Sequence, residues 1–223
     1  MDIQIKPMTP ARVDDYFKFF DEIAFADHPE WGCECYCCFF HVDSKTDWEA
    51  RTGVENKAIA RELILAGRFT GLLAYADDQP VAWCHYEKKS ALPGISVFYP
   101  QFLEPEKASD ETGSASEAEA VSEDASEDDS EDEPVAASEA GNIAAIVCFT
   151  VAQAWRRKGI AGQMLDITCS DLAGKGYTIA EAYPGKTSES DEHNYHGPLS
   201  LYLAHGFEVY REFDENTVVR KRI

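Results

Sequence analysis

A short basic turn, Arg156-Arg-Lys-Gly-Ile-Ala161, follows an apolar run that includes Ile146. Behind the turn, apolar residues recur at helical spacing and predict a helix over residues 159–172. A strand, a glycine turn and a helix in this order present free N–H groups and a positive helix end to a phosphate. Gly159 permits close approach of a ligand, and Ala161 keeps that surface low. The pattern predicts a phosphate-binding turn, with a solvated basic turn as the alternative.

A second group of residues that could take part in chemistry is a cluster of thiols near the N-terminus. It comprises Cys33, Cys35, Cys37, Cys38 and His41, within nine residues. Structural zinc sites use spaced cysteine pairs plus a second, distant pair, and this sequence lacks that spacing. A redox-sensing thiol is another alternative. The pattern favours a loop rich in aromatic and thiol side chains that packs across an acceptor pocket and binds no metal. The aromatic residues of this loop are Trp31, Tyr36, Phe39 and Phe40.

The charge of the chain is concentrated in one segment. The whole sequence carries a net charge of -21. Residues 104–139 hold 15 acidic residues and the single base Lys107, so they account for -14 and the remainder carries -7. Residues 104–140 contain no aromatic residue and no periodicity, which predicts a disordered insertion. The acidity argues against a nucleic-acid partner.

Length and cysteine usage limit the class of protein. A chain of 223 residues fits a single domain, interrupted by the insertion at 104–140. The sequence has no apolar run of 18 residues, so we expect no membrane span, and its N-terminus lacks the pattern of a signal peptide. Cys84, Cys148 and Cys169 lie in apolar runs, which favours reduced thiols in a cytoplasmic protein.

The remaining patterns predict an alternation of strands and helices around these groups. Thr9 and Pro10 predict the start of a first helix whose Val13, Phe17 and Phe20 face inward. Further helices are predicted at 54–66, 159–172 and 198–205. Strands are predicted at Ile3 to Ile5 and at 69–76, 81–87, 146–151, 177–183, 207–213 and 217–221, with a turn over Asp77 to Pro80 between the second and third.

This order and three local motifs resemble the GNAT superfamily of N-acetyltransferases. The basic turn is similar to its motif Arg/Gln-x-x-Gly-x-Gly/Ala, and Tyr202-Leu-Ala-His-Gly-Phe207 to its Tyr-x-x-x-Gly-Phe ending. Leu72-Leu-Ala-Tyr75 and Gln79-Pro-Val-Ala-Trp83 are similar to its second and third strands, although Ala82 stands where Gly is usual. Gln153, where Pro is common before the basic turn, is a second departure. Glu181-Ala-Tyr-Pro184 and the thiol loop resemble one bacterial branch. The resemblance implies an α+β fold: a mixed, mostly antiparallel sheet that splays between the fourth and fifth strands, with helices on both faces.

The resemblance also implies where acetyl-CoA is held. The pantetheine arm would pair with backbone groups left unpaired by the splay, chiefly at Phe149 and Val151. The pyrophosphate would lie on the amides from Arg157 to Ala161, with basic side chains beside it. The implied residues are Phe149, Thr150, Val151, Arg156, Arg157, Lys158, Gly159, Ile160 and Ala161.

Two residues are candidates for proton transfer. Tyr202 falls at the position that in the family protonates the departing CoA thiolate; a core tyrosine is the alternative. Glu181, near the carboxyl end of its strand, is the candidate base. A substrate-ammonium anchor and a structural carboxylate are its alternatives. His85, His193 and His196 are weaker candidates, and water can carry the amine proton away instead.

These expectations combine into one function with two alternatives. We expect an acetyl-CoA-dependent N-acetyltransferase that moves the acetyl group to a primary amine of a small molecule or peptide by direct attack. A transferase for another acyl-CoA, and a CoA-binding sensor with the thiol loop as a metal or redox switch, are the alternatives. The family also allows a homodimer.

Overall fold

A computed structural model describes residues 2–28, 34–103, 142–186 and 195–223. The predicted insertion at 104–140, together with Trp31, Cys33 and His193, lies outside the described residues. The described residues form one seven-stranded sheet in the order β1-β2-β3-β4-β5-β7-β6. The strands are β1 (Ile3–Pro7), β2 (Gly71–Ala76), β3 (Gln79–Lys88), β4 (Ile143–Val151), β5 (Ile179–Ala182), β6 (Glu208–Glu212) and β7 (Thr217–Arg222).

Five α-helices accompany the sheet in the described ranges. They are α1 (Val13–Lys18), α2 (Gly53–Leu65), α3 (Pro93–Phe98), α4 (Ile160–Gly174) and α5 (Leu199–Ala204). All predicted elements are present, with bounds that differ by a few residues. The short helix α3 was not predicted, because its six residues are too few for a clear period. None of the helices described here combines the length and the apolar character that a bilayer span requires.

The start of the first helix differs from the prediction. A 3-10 turn, Pro10–Arg12, precedes α1, and a π-helical segment, Phe19–Ile23, extends it. Thr9 occupies the N-cap position but does not cap a backbone N–H. Its hydroxyl accepts a hydrogen bond from Arg12 Nη1 at 3.0 Å instead. The inward-facing residues are as predicted, since Val13, Phe17 and Phe20 are all buried.

The sheet splays in its middle, as predicted. Among the described strands, β4 and β5 pair in parallel and the other pairs are antiparallel. The parallel register runs only from Ile143 opposite Ile179 to Ile146 opposite Ala182. Beyond that point β4 continues to Val151 while β5 ends. The last five residues of β4 therefore have no strand on the β5 side.

Side chains that alternate along the strands pack against two layers of helices, one on each face of the sheet. Leu72 on β2 packs with the α4 residues Met164 and Leu172 on one face of the sheet. Its neighbour Leu73 packs with Tyr16 and the rest of the α1–α2 cluster on the other face. Successive side chains of a strand point to opposite faces, so both sides of this sheet are covered by helices. The arrangement confirms the predicted α+β class.

The hairpin between β2 and β3 is tighter than predicted. Asp77 and Asp78 have φ angles of 50° and 59°, which is the backbone of a two-residue type I′ turn. Pro80, placed in the turn by the sequence, belongs to β3 and faces Tyr75 where the register shifts. Proline fits such a bulge because it has no N–H to donate to the ladder.

Gly71 makes room for the central aromatic residue of the α1–α2 layer. A Cβ at Gly71 would overlap the Trp83 ring and lie 2.6 Å from the Cys84 carbonyl oxygen. Trp83 is fully buried, and its Nε1 donates to Cys37 Sγ at 3.2 Å. A side chain at position 71 would displace this ring.

We expect Gly71→Ala to lower the free energy of unfolding by roughly 1–3 kcal/mol, the usual cost of overpacking a core. Urea denaturation followed by circular dichroism measures the change. Gly174→Ala is the matched control. A Cβ at Gly174 meets nothing within 4 Å, and alanine is the better helix former, so stability should not fall. Equal unfolding midpoints for the Gly71 variant and the native protein would show that Trp83 can move without cost.

Candidate active site

The basic turn and the start of α4 form a site with free backbone donors. Gly159 is the N-cap of α4, with φ 76° in the left-handed region, and has no side chain that could cap the helix. The first N–H groups of an α-helix have no acceptor within it, so the amides of Ile160, Ala161 and Gly162 are available. Arg157 is also left-handed, with φ 60°. Strained backbone of this kind clusters at functional sites.

The three basic side chains of the turn have different surroundings. Arg156 is tethered: its Nε donates to the Val151 carbonyl at 3.0 Å, and its Nη1 lies 3.3 Å from Asp27 Oδ2. Lys158 places its Nζ 4.7 Å from the centre of the Trp155 ring. Arg157 is exposed. Arg156 therefore holds the turn against β4 as well as adding positive charge to it.

A cavity of about 1230 Å³ lies between this turn, β4 and the thiol-rich loop. Its described lining includes every predicted cofactor residue except Lys158. It also includes residues that the sequence did not indicate, because their positions depend on long-range packing: Phe25, Trp48, Trp155, Tyr195, Gly197, Pro198 and Leu201. The predicted loop residues Cys35, Tyr36, Cys37, Phe39 and Phe40 line it as well. The cavity exceeds the volume that a single drug-sized ligand needs.

The splayed part of β4 is not left unpaired. The Phe149 N–H donates to the Tyr195 carbonyl at 2.6 Å, and the Val151 carbonyl accepts from Arg156. The expectation that the splay leaves these two groups free is therefore wrong. Buried backbone groups need partners, and the segment before α5 turns back over β4 to supply one of them.

Tyr202 lies behind the cavity, within the core. Its side chain is fully buried, and its hydroxyl donates to the His196 carbonyl at 2.6 Å. Burial raises the pKa of this phenol well above its ordinary value. Tyr202 is not among the described residues that line the cavity, although its neighbours Phe149, Gly197 and Leu201 are. These contacts match a core tyrosine, and its role as a proton donor stays a prediction.

Glu181 is the centre of a buried ionic cluster. Its Oε1 accepts from Lys89 Nζ and from the Tyr183 hydroxyl, both at 2.6 Å, and its Oε2 accepts from Arg220 Nε at 2.7 Å. The carboxylate is fully buried and is not among the cavity residues described. Internal partners occupy both oxygens, which matches the structural alternative. Its role as a base stays a prediction.

The described histidine candidates also lie away from the cavity lining. His85 is fully buried, with its Nε2 3.2 Å from His41 Nε2, and its Nδ1 finds no partner among the described residues. Burial lowers the pKa of His85 well below 6.5 and that of His41 to about 4. His196 packs against the Tyr195 ring, and burial lowers its pKa to about 4. We interpret these histidines as neutral core residues.

The described ranges hold no group of three or more histidine, cysteine or acidic side chains placed to bind a metal ion. Cys33 lies outside those ranges. Of the other loop cysteines, Cys35 and Cys37 line the cavity.

Three solved acetyltransferases share this architecture, although no protein-family model and no curated protein sequence matches the chain. The GNAT domain of PAT from S. lividans has a TM-score of 0.52 at 11% identity, covering 99% of this chain and 90% of that one. An N-acetyltransferase from Staphylococcus aureus gives 0.51 at 9%, covering 100% and 99%. An acetyltransferase from Thermus thermophilus gives 0.50 at 11%, covering 100% and 98%.

These similarities confirm the predicted GNAT fold. At such low identities they concern the fold alone. The bacterial branch, the homodimer and the cytoplasmic location stay predictions.

We expect the buried histidines to make the protein acid-sensitive. Their folded pKa values lie below the ordinary value of 6.5, so the unfolded chain binds more protons as the pH falls from 6.5 toward 4. The stability that these neutral histidines contribute is therefore fully present above pH 6.5 and is lost progressively below it. Each such histidine adds a slope of about 1.4 kcal/mol per pH unit.

Urea denaturation at several pH values between 4 and 7 measures this slope. The variant His85→Gln should show a shallower decline than the native protein, whatever the carboxylates contribute to both. Parallel stability curves for the two proteins would mean that His85 is not held neutral by the fold.

Proposed function

We propose that this protein is an acetyl-CoA-dependent N-acetyltransferase that acts on a primary amine of a small molecule or peptide. The observation that carries the proposal is the turn before α4. Its left-handed Gly159 and free first-turn amides face a large cavity beside the splayed end of β4. That arrangement lies within a fold shared with solved acetyltransferases, one of which is an N-acetyltransferase.

The turn is suited to the pyrophosphate of the cosubstrate. The amides from Arg157 to Ala161 would donate to the phosphate oxygens, and the positive end of the α4 dipole favours a negative charge there. Arg157 is exposed and adds charge assistance. Lys158 interacts with Trp155 and contributes to the field rather than to a direct contact. Phe149, Thr150 and Val151 would border the pantetheine arm, because all three line the cavity.

The Phe149 N–H is the proposed donor to the acyl end of the cosubstrate. It now donates to the Tyr195 carbonyl, so binding would exchange one carbonyl acceptor for another. Such an exchange costs little, because the net difference between two hydrogen bonds of the same kind is small. The same N–H is then placed to stabilise the oxyanion that forms when the amine attacks. We propose that the segment around Tyr195 moves aside when acetyl-CoA binds.

The acceptor would be held by the thiol-rich loop. Tyr36, Phe39 and Trp48 line this part of the cavity with aromatic surface, and Glu34 adds a carboxylate for an ammonium group. Attack by the neutral amine forms the amide bond and releases the CoA thiolate. The contacts of Glu181 support water, rather than that carboxylate, as carrier of the amine proton. Tyr202 is the proposed proton donor to the thiolate, and it acts directly only if the Gly197 segment shifts.

The activity is tested by incubating the protein with acetyl-CoA and a panel of primary amines. N-acetylated product, identified by mass spectrometry and formed in proportion to released CoA, is the expected result. CoA binding without any acetylated amine would favour the CoA-binding sensor instead.

We expect acetyl-CoA to raise the melting temperature of the protein and Gly159→Glu to abolish that rise. A ligand that binds only the folded state at 100 times its Kd stabilises it by about 2.7 kcal/mol. The glutamate would occupy the phosphate position and add a like charge. Differential scanning fluorimetry with and without acetyl-CoA measures the effect.

Gly176→Glu is the matched control for this variant. Gly176 is also left-handed, with φ 85°, and a Cβ at either glycine meets nothing within 4 Å among the described residues. Both variants therefore carry the same kind of backbone strain, but position 176 lies at the opposite end of α4. The control should keep the full acetyl-CoA shift. If the Gly159 variant keeps the rise in melting temperature with acetyl-CoA, the phosphate does not bind at this turn.

We expect Tyr202→Phe to lower kcat by roughly 10²–10⁴-fold if the phenol protonates the leaving thiolate. The acetyl-CoA shift should stay, because the turn is unchanged. The comparison uses saturating concentrations of both substrates, since the lost interaction exists only in the transition state. A near-native kcat together with a lower melting temperature would identify Tyr202 as a packing residue that holds the His196 carbonyl.

A further inference from the structure

Two cysteines from distant parts of the sequence meet at the wall of the cavity. Cys148 lies on β4, and Cys37 lies on the loop before the 3-10 turn Phe39–His41. Their Sγ atoms are 3.4 Å apart, although 111 positions separate them in the chain. Both residues line the cavity, so a small molecule that enters it comes close to the pair.

The hydrogen bonds around this pair of cysteines favour a negative charge on one of the two sulfurs. Trp83 Nε1 donates to Cys37 Sγ at 3.2 Å, and the Cys37 thiol donates to Cys148 Sγ. Thr150 Oγ1 is 3.6 Å from the same Cys148 sulfur. The Cys37 hydrogen bond lowers the pKa of Cys148, although burial acts in the opposite direction. Cys148 is therefore the sulfur best able to react as a thiolate.

The other described cysteines are less suited to react. Burial raises the pKa of Cys35 to about 11 and that of Cys38 to about 12. The Cys38 thiol is fully buried and donates to the Asn56 carbonyl at 3.3 Å. Cys84 and Cys169 belong to the core on the α4 face and are not among the cavity residues described.

The loop is held in the position that brings Cys37 to β4. Tyr36 and Cys37 have φ angles of 42° and 54°, a backbone that costs non-glycine residues free energy. The Tyr16 hydroxyl donates to the Tyr36 carbonyl at 2.8 Å, and the Tyr36 hydroxyl donates to Asp21 at 2.7 Å. These contacts hold the loop on both sides, so the Cys37 and Cys148 sulfurs are already adjacent before any reaction.

We propose that Cys37 and Cys148 are an oxidation site that a hydroperoxide converts to a disulfide. The Cys148 thiolate attacks a peroxide oxygen, the O–O bond breaks, and the leaving oxygen takes a proton as water or an alcohol. The Cys37 sulfur then attacks the resulting sulfenic sulfur, the S–O bond breaks, and the Cys37 proton leaves with the oxygen as water. The sulfurs lose two electrons, which the peroxide accepts, and they close from 3.4 Å to about 2.05 Å.

The cross-link would tie the thiol-rich loop covalently to β4, directly beside Phe149. It would fix the wall of the cavity that we assign to the acceptor and leave the Gly159 turn untouched. This inference goes beyond the proposed function and does not depend on it, because the product is read from the protein's mass rather than from turnover.

The test uses the full-length protein, reduced and then freed of reductant under native conditions. One equivalent of hydrogen peroxide should remove two hydrogen atoms from its mass, and dithiothreitol should restore them. Cys37→Ser and Cys148→Ser should each prevent this loss, whereas Cys35→Ser and Cys38→Ser should keep it. These variants are needed because no lysine or arginine separates the four loop cysteines between Lys18 and Lys45, so peptide masses do not distinguish them.

A second readout does not require the Cys148 variant to fold. In Cys37→Ser, the Cys148 sulfenic acid has lost its partner and should be trapped by dimedone at Cys148. A two-hydrogen loss that survives in Cys37→Ser, or a cross-link that requires Cys35 and Cys38 instead, would overturn the proposal. So would native protein that keeps all its thiols after peroxide treatment.

Discussion

The early end of the pairing between β4 and β5 is the constraint on which the site depends. Four residue pairs hold these parallel strands together, and β4 then continues to Val151 with no strand on the β5 side. Backbone groups exposed by such a splay need partners in a region that water reaches poorly. In this structure the segment before α5 supplies one carbonyl, from Tyr195, and a cavity occupies the remaining space. In the proposed binding mode, the extended thioester of acetyl-CoA replaces the Tyr195 carbonyl as the partner of the Phe149 N–H.

Ionic interactions anchor the strands on both sides of the splay to their surroundings. Arg156 links the end of β4 to Asp27 in the α1 layer, and so fixes the direction in which the basic turn leaves the sheet. On the other side, Glu181 bonds to Lys89 and Arg220 and thereby joins β5 to β7 and to the end of β3. A buried carboxylate with two cations is costly to break, because removing one partner leaves uncompensated charge. This cluster gives Glu181 a structural reason to be present.

The sequence predicted the parts of the molecule that local patterns encode. Hydrophobic periodicity placed the strands and helices, and the spacing from Arg156 to Ala161 indicated the helix end that faces the cavity. The sequence did not reveal which distant groups would meet. The partners of Glu181, the carbonyl on the Phe149 N–H and the contact between Cys37 and Cys148 each join segments many residues apart. Those contacts depend on strand register and on packing of the layers, which no local motif specifies.

Amide resonances of the isotopically labelled protein, followed by NMR during titration with CoA and acetyl-CoA, test the central claim most directly. We expect the largest shifts at Gly159, Ile160 and Ala161 for both ligands. The Phe149 amide should also shift as its N–H exchanges the Tyr195 carbonyl for the ligand, and this shift should be larger with acetyl-CoA because only that ligand carries the acyl carbonyl. Saturable binding that leaves these four amides unmoved would place the ligand elsewhere and contradict the account.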